Sequence, residues 1–188
     1  MTRMEVEMKF PVQDLGVVES RLRALGARVS EPRSEADLYY AHPARDFAAT
    51  DEALRIRRGE QGCFLTYKGP KIDRTTKTRK EIDLRLPDGP EAHLPWHDLL
   101  EALGFRPVAE VCKQRRKAVV AWQGREVEVS LDAVPPLGAF VELELVTEAE
   151  EVESAKACLA SLAERLGLSG GERRSYLELL LLQRSCRA

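Results

Sequence analysis

The sequence of 188 residues predicts an α+β protein built on an antiparallel β-sheet with one charged face. Three observations predict it: six segments alternate charged and apolar residues, four segments carry apolar stripes at helical spacing, and no low-complexity linker divides the chain. Two arrangements satisfy this pattern. The sheet is either open, with one wet face, or closed into a barrel with a charged lumen and an apolar outside covered by helices.

The strands have polar faces that are almost purely charged. In residues 5–10 the alternation places Glu5, Glu7 and Lys9 on one face. Five further segments repeat this pattern, with polar positions at Arg55 and Arg57; Arg79, Glu81, Asp83 and Arg85; Lys113, Arg115 and Lys117; Glu126, Glu128, Ser130 and Asp132; and Glu142 and Glu144. A slip of one residue in the strand that carries Lys113, Arg115 and Lys117 would bring Arg116 to this face in place of its neighbours.

Residues typical of helix termini predict the first two helices. Asp14 is a plausible N-cap, and Gly26 is placed to end the first helix. The second runs from about Pro95 to Gly104, and both close with the same Leu-x-Ala-Leu-Gly sequence.

The C-terminal region is predicted to be helical. A capping box formed by Thr147 and Glu150 would begin the third helix, and Gly167 would end it. A short fourth helix covers residues 176–182. We therefore expect one domain over residues 1–188, with a barrel and two inserted helices in 1–146 and the C-terminal helices in 147–188.

Composition and charge exclude several classes of protein. Lys and Arg number 29 against 31 Asp and Glu, a net charge of -2 that argues against a specific nucleic-acid binder. The four cysteines stand too far apart for a zinc site, and apolar runs such as 179–182 are far too short to span a bilayer. We expect a reduced, cytoplasmic protein without a membrane partner, and a homodimer is the default oligomer.

The charged face carries two ligand sets. Arginine and lysine side chains match phosphate oxygens, and six could point inward: Arg55, Arg57, Lys68, Arg79, Lys113 and Arg115. Carboxylates are the ligands that Mg²⁺ or Mn²⁺ prefers, and five could hold metal: Glu5, Glu7, Asp132, Glu142 and Glu144. This combination is typical of phosphoryl-transfer enzymes, although no Walker A motif or Ser-His-Asp order is visible.

These residues resemble the CYTH superfamily, the triphosphate tunnel metalloenzymes. The resemblance begins with the Glu-x-Glu-x-Lys signature at residues 5–9 and covers nearly the whole chain. In the family's order follow Asp37-Leu38-Tyr39-Tyr40, Leu54-Arg55-Ile56-Arg57, Thr66-Tyr67-Lys68-Gly69-Pro70, Arg79-Lys80-Glu81, Lys113-Gln114-Arg115, Leu131-Asp132 and Val141-Glu142-Leu143-Glu144. Within the family the sequence is most similar to the class IV adenylate cyclases.

The resemblance implies an eight-stranded antiparallel barrel that forms a triphosphate tunnel. It implies divalent metal at the five carboxylates and triphosphate at Lys9 and the cations named above. Glu81 matches a charged lumen position that would bind metal or pair with a cation, and Lys9 and Glu81 are the candidate catalytic residues.

The family resemblance leaves several reactions open. The implied reaction is conversion of ATP to cyclic AMP and pyrophosphate. The alternatives are hydrolysis of tripolyphosphate or of a nucleoside or thiamine triphosphate, and binding of polyphosphate without catalysis. The basic segment 71–80 would be a solvated loop, a flap over phosphate or an RNA contact.

Overall fold

The centre of the molecule is an eight-stranded sheet in a computed structural model that describes residues 3–70, 79–89 and 91–186. The strands are β1 (Arg3–Val12), β2 (Arg33–Ala41), β3 (Ala53–Gly59), β4 (Gly62–Lys68), β5 (Glu81–Arg85), β6 (Arg106–Trp122), β7 (Arg125–Val134) and β8 (Gly138–Glu148). Their order across the sheet is β1-β8-β7-β6-β2-β3-β4-β5, and every neighbouring pair is antiparallel.

The sheet curls until its two edges approach each other. An isolated antiparallel bridge joins Glu5 of β1 to Arg79, just before β5. The charged positions of the strands point into the space that the curl encloses. The structure therefore confirms the predicted α+β class and favours the tunnel-like arrangement over an open sheet with one wet face.

Helices cover most of the outside of the curl. They are α1 (Leu15–Ala24), α2 (Phe47–Thr50), α3 (Leu94–Ala102), α4 (Val152–Arg165) and α5 (Tyr176–Ser185), with a 3₁₀ turn at Ala149–Glu151. The outward apolar residues of β1, β6, β7 and β8 form the largest core with α1 and α4. A second outer core lies beneath α3, on the apolar side of β2, β3 and β4.

One end of the inner face is apolar and is covered by α5. Ala109, Val111 and Phe140 continue the inward positions of their strands beyond the last charged residue, and Tyr176 and Leu180 of α5 pack against them. A capping box between Ser175 and Glu178 begins this helix. The curl is thus charged in its middle and apolar at one end.

Two predictions about the elements were wrong in detail, and one element was missed. The fifth strand begins at Glu81 instead of Arg79. Ile82 and Leu84 on its outer side are 41% and 53% exposed, so no helix within the described ranges covers this edge. Thr147 does not form a capping box, because the pairing of β8 with β1 carries it past that residue to Glu148. The short helix α2 was not predicted. The basic segment falls largely, at 71–78, outside the described residues.

Within the described residues, no helix has the length and apolarity needed to cross a membrane.

Candidate functional site

A cavity of about 740 Å³ runs along the inner face of the sheet. Eleven of the thirteen candidate residues line it: Glu5, Glu7, Arg55, Arg57, Lys68, Arg79, Glu81, Lys113, Arg115, Glu142 and Glu144. The other two, Lys9 and Asp132, are buried behind its lining, with exposures of 2% and 0%. The curl therefore brings together residues that are up to 139 positions apart in the sequence.

One side of the cavity, here called the basic wall, consists of Glu35 and Asp37 on β2, Arg55 and Arg57 on β3, and Lys113 on β6. Arg57 donates from Nε and Nη2 to the two Asp37 oxygens, at 2.6 and 2.9 Å. Lys113 Nζ donates to Asp37 Oδ2 at 2.8 Å, and Arg55 Nη1 donates to the same atom at 3.3 Å. Glu35 Oε2 lies 3.0 Å from Lys113 Nζ and 3.5 Å from Arg57 Nε.

Opposite charges determine ionisation in the basic wall. Burial raises the pKa of the Asp37 carboxyl, but Arg55, Lys113 and Arg57 outweigh it and hold that pKa well below its usual range. The pKa of Glu35 is lowered for the same reason, with Arg57 and Lys113 opposing burial. Burial would lower the pKa of Arg55, yet Asp37 raises it. The Asp37 and Glu35 carboxylates and the Arg55 guanidinium group therefore stabilise one another in their charged forms.

The other side, here called the acidic wall, consists of Glu5 and Glu7 on β1, Glu144 on β8 and Glu128 on β7. The strand register sets Glu144 directly between Glu7 and Glu128. Burial, together with Glu7 and Glu128, raises the pKa of Glu144 to about 7. Burial, together with Glu81, Glu144 and Glu7, raises the pKa of Glu5 to about 9 against the opposing effect of Lys68.

Lys68, Arg79 and Glu81 lie where the two edges of the sheet meet. Lys68 Nζ contacts the Glu81 carboxylate and lies 3.7 Å from Glu5 Oε1. Lys68 therefore outweighs burial at Glu81 and lowers the pKa of that carboxyl. In this arrangement Glu81 pairs with a cation, one of the two roles expected for it.

Two guanidinium nitrogens at the cavity have unused hydrogen-bonding capacity. Arg55 Nε and Arg79 Nε are buried, and neither has a hydrogen-bond partner within the parts of the chain that the structure describes. A buried donor without a partner is costly, so these positions suit an incoming anion.

Beneath the apolar end lies a group here called the floor: Lys9, Arg115, Asp132, Glu142 and Tyr176. Arg115 Nε donates to Asp132 Oδ1 at 2.7 Å, and its Nη2 donates to Asp132 Oδ2 and to Glu142 Oε2. The Tyr176 hydroxyl also donates to Asp132 Oδ2, at 2.8 Å. Both oxygens of Asp132, a candidate metal ligand, are thus engaged by protein donors.

Lys9 is held against α5. Its Nζ donates to the carbonyl of Arg174 and lies 4.2 Å from the centre of the Tyr176 ring. Arg116 of β6, which a slip of one residue would have brought to the inner face, lies on the outside and pairs with Glu19 of α1.

The acidic wall fits a divalent cation by the chemistry of its donors. Crowded, half-buried carboxylates with raised pKa values are only partly offset by Lys68 and Lys117, and oxygen ligands are those that Mg²⁺ and Mn²⁺ prefer. Among the described residues, however, no three His, Cys, Asp or Glu side chains are close enough to hold a metal ion. The carboxylates would have to close around a bound cation, or hold it through water.

Four residues of the walls and the floor were not among the candidate site residues: Glu35, Asp37, Glu128 and Tyr176. Asp37 is the centre of the basic wall, and the alternation of Glu35, Asp37 and Tyr39 with apolar neighbours could have identified it. Tyr176 had no such signal, because it belongs to a helix and contacts Asp132 across 44 residues.

Comparisons with known proteins agree with this geometry. The family model of the CYTH domain matches residues 3–176. The chain is 35% identical to MJ0240 of Methanocaldococcus jannaschii, a protein assigned only provisionally to the adenylate cyclases, over 94% of this chain and 98% of that one.

Solved structures share the fold. The PH1819 protein of Pyrococcus horikoshii OT3 is 42% identical, with a TM-score of 0.83, over 96% of this chain and 99% of that one. HpAC1 of Hippeastrum, for which a dominant triphosphatase activity is described, shares the fold at 19% identity and a TM-score of 0.62, over 98% of this chain and 96% of that one.

Proposed function

The chain belongs to the CYTH family, and from that premise we propose that it is a divalent-metal-dependent enzyme that performs phosphoryl transfer on a triphosphate bound in the cavity. The first candidate reaction is conversion of ATP to cyclic AMP and pyrophosphate, as in the class IV adenylate cyclases that the sequence resembles. The triphosphate would lie between the basic and acidic walls.

The observation that carries this proposal is a pair of buried nitrogens, Arg55 Nε and Arg79 Nε, that have no hydrogen-bond partner in the described part of the chain. They lie at a cavity whose opposite wall is acidic. Phosphate oxygens are acceptors that guanidinium groups bind with high geometric selectivity. A site for a simple anion would gain nothing from an acidic wall, because those carboxylates would repel the ligand. Together the two walls suit a triphosphate with a cation.

The residues of the chain would act by position and charge. Arg55, Arg57 and Lys113 would orient the phosphates, and Lys68 with Arg79 would neutralise negative charge that develops on the leaving group. A divalent cation at the acidic wall would supply Lewis-acid neutralisation of phosphate oxygens when bound. The chain would need no side-chain nucleophile, since the attacking oxygen comes from the ribose or from water.

Hydrolysis is the second candidate reaction. The same walls would serve water attack on a terminal phosphorus, and HpAC1 shows that triphosphatase activity occurs on this fold. The two reactions differ in the attacking oxygen and in the phosphorus attacked, so their products distinguish them.

The test is a product assay with the purified protein, Mg²⁺ or Mn²⁺, and ATP or tripolyphosphate in parallel. A Glu5→Gln variant removes one carboxylate of the acidic wall and should lose turnover. A Glu110→Gln variant is the matched control, because Glu110 is exposed on the outer face and pairs with Arg58.

Each product identifies a function. Cyclic AMP with pyrophosphate would support the cyclase, and orthophosphate without cyclic AMP would support the triphosphatase. No turnover of either substrate, with tight binding of both, would contradict the enzyme and leave a polyphosphate-binding protein. RNA binding that depends strongly on salt but not on metal would indicate a nucleic-acid role instead.

A further inference from the structure

Asp37 lies at the centre of the basic wall. Its exposure is 0%, and within the wall it lies behind the cations that face the cavity, so a bound ligand would contact those cations instead of Asp37. β2 runs between β3 and β6, and this places Asp37 between the two strands that carry the cations. A residue in this position acts on a ligand only through its neighbours.

The two oxygens of Asp37 accept from four donor atoms on three cations. The Nε and Nη2 fork of Arg57 occupies both oxygens, and this bidentate contact fixes the plane of the guanidinium group. Lys113 and Arg55 share the remaining capacity of Oδ2. Arg55 contributes Nη1 to this contact and retains its buried Nε without a hydrogen-bond partner in the described residues.

Three cations this close together repel one another. Without a shared counter-charge, their long side chains would separate toward solvent and lose the common geometry. Arg55, Arg57 and Lys113 are all held by one carboxylate, so they converge before any ligand is present. A preorganised set of donors binds and stabilises charge better than a mobile one, because it loses less freedom when the ligand arrives.

We propose that Asp37 is a positioning residue that holds Arg55, Arg57 and Lys113 in the arrangement that receives the triphosphate. This inference rests on the proposed function, since it concerns how the same site is prepared. It differs from a simple charge-balancing role, in which Asp37 only offsets surplus positive charge.

The two roles predict opposite changes in anion affinity for the same substitution. Asp37→Asn removes a negative charge beside the cations. If Asp37 only balances charge, the variant should bind an anion more tightly, because the local potential becomes more positive. If Asp37 positions the cations, the variant should bind more weakly in spite of the gain in positive potential.

The experiment measures the affinity for inorganic tripolyphosphate by calorimetry in EDTA, without divalent metal, for the wild type, Asp37→Asn and Glu35→Gln. Glu35 is the matched comparison because it lies in the same wall near Arg57 and Lys113 but forms no bidentate fork. We expect Asp37→Asn to weaken binding by about 10-fold or more. Glu35→Gln should bind more tightly than the wild type.

The outcomes separate the two proposals. Binding by Asp37→Asn as tight as that of the wild type, or equal weakening by both substitutions, would overturn the positioning role and leave the proposed function intact. Absence of binding by the wild type in EDTA would overturn the proposal that a preorganised set of cations receives the triphosphate. The product assay with Mg²⁺ or Mn²⁺ would then decide separately whether the proposed function holds.

A second measurement avoids dependence on the folding of the variant. In the wild type, ¹⁵N spectra of the guanidinium groups can be followed during titration with tripolyphosphate. The Arg57 Nε–H signal should change little, because its bond to Asp37 persists, whereas the Arg55 Nε–H signal should shift strongly as it gains a partner. A shift of the Arg57 signal as large as that of Arg55 would show that the bond to Asp37 breaks on binding, contrary to the proposal.

Discussion

The basic and acidic walls contain the same kind of group in the same kind of environment, yet they ionise in opposite ways. Asp37 is buried and Glu35 is half-buried in the basic wall, and their pKa values are lowered. Glu5 and Glu144 are half-buried in the acidic wall, and their pKa values are raised to about 9 and about 7. Burial acts in the same direction on all four.

The neighbours decide the outcome. In the basic wall each carboxylate faces guanidinium and ammonium groups, whereas in the acidic wall Glu144 lies between Glu7 and Glu128. The basic wall is therefore electrostatically complete without a ligand. The acidic wall has more carboxylates than Lys68 and Lys117 can offset, so a cation would complete it.

In the floor, as in the basic wall, carboxylates pair with a cation of the protein. Removing that cation should have the largest effect on the free energy of unfolding. Arg115→Met leaves the buried Asp132 without its main partner, which should cost about 3–5 kcal/mol. The matched control is Lys117→Met, since Lys117 pairs with Glu128 at a half-exposed position and should cost less than about 1 kcal/mol. Urea denaturation measures both. Similar losses of unfolding free energy in the two variants would show that the buried pair contributes no more to stability than the half-exposed pair.

Removing a carboxylate from the acidic wall should lower activity without lowering the stability of the fold. Glu144→Gln should lower turnover by about 100-fold, the scale expected when one electrostatic group is lost from an active site. Because the substitution relieves the burial of a charge among like charges, the metal-free protein should be at least as stable as the wild type. Turnover assays and denaturation in EDTA test the two halves. A variant that is both active and less stable would contradict the comparison.

The acidic wall should also make metal binding depend on pH. The raised pKa values of Glu144 and Glu5 stabilise the metal-free fold below the ordinary pKa, and this contribution is lost as pH rises through about 7 and then about 9. Saturating Mg²⁺ should therefore raise Tm more at pH 8 than at pH 6. A difference of about 1 kcal/mol corresponds to roughly 2–4 °C in a chain of this size.

Thermal denaturation with and without Mg²⁺ at the two pH values measures this difference. In the doubly substituted variant Glu5→Gln, Glu144→Gln the dependence on pH should disappear. If the rise in Tm on adding Mg²⁺ still depends on pH in this variant, groups other than Glu5 and Glu144 cause the dependence.

The smallest expected effect concerns the contact between α5 and the floor. Tyr176→Phe removes the hydrogen bond to Asp132 but retains the ring beside Lys9, and should cost about 1 kcal/mol. Tyr39→Phe is the matched control, because the Tyr39 hydroxyl has only a 3.4 Å contact with Arg55 and its loss should cost less than about 0.5 kcal/mol. Equal costs in denaturation would show that α5 contributes no specific hydrogen bond to the floor.

Much of the fold was predictable because its signals are local. Alternation with a period of two identified the inward positions of β1, β3, β6, β7 and β8, and Asp14 and Gly26 marked the ends of the region around α1. The errors fell where tertiary contacts compete with local signals. Thr147 looks like a helix cap, but pairing between β8 and β1 keeps it in a strand.

The sequence by itself determined which side chains share a face, and therefore that cations and carboxylates would line one surface. It also identified the family. The tertiary structure decided which charge meets which: Asp37 with Lys113 across 76 residues, Tyr176 with Asp132 across 44, and Glu144 with other carboxylates. The physical reason is that alternation is a property of a single strand. Pairing of charges depends on register and curl between strands that are distant in sequence, and that pairing sets the sign of each pKa shift.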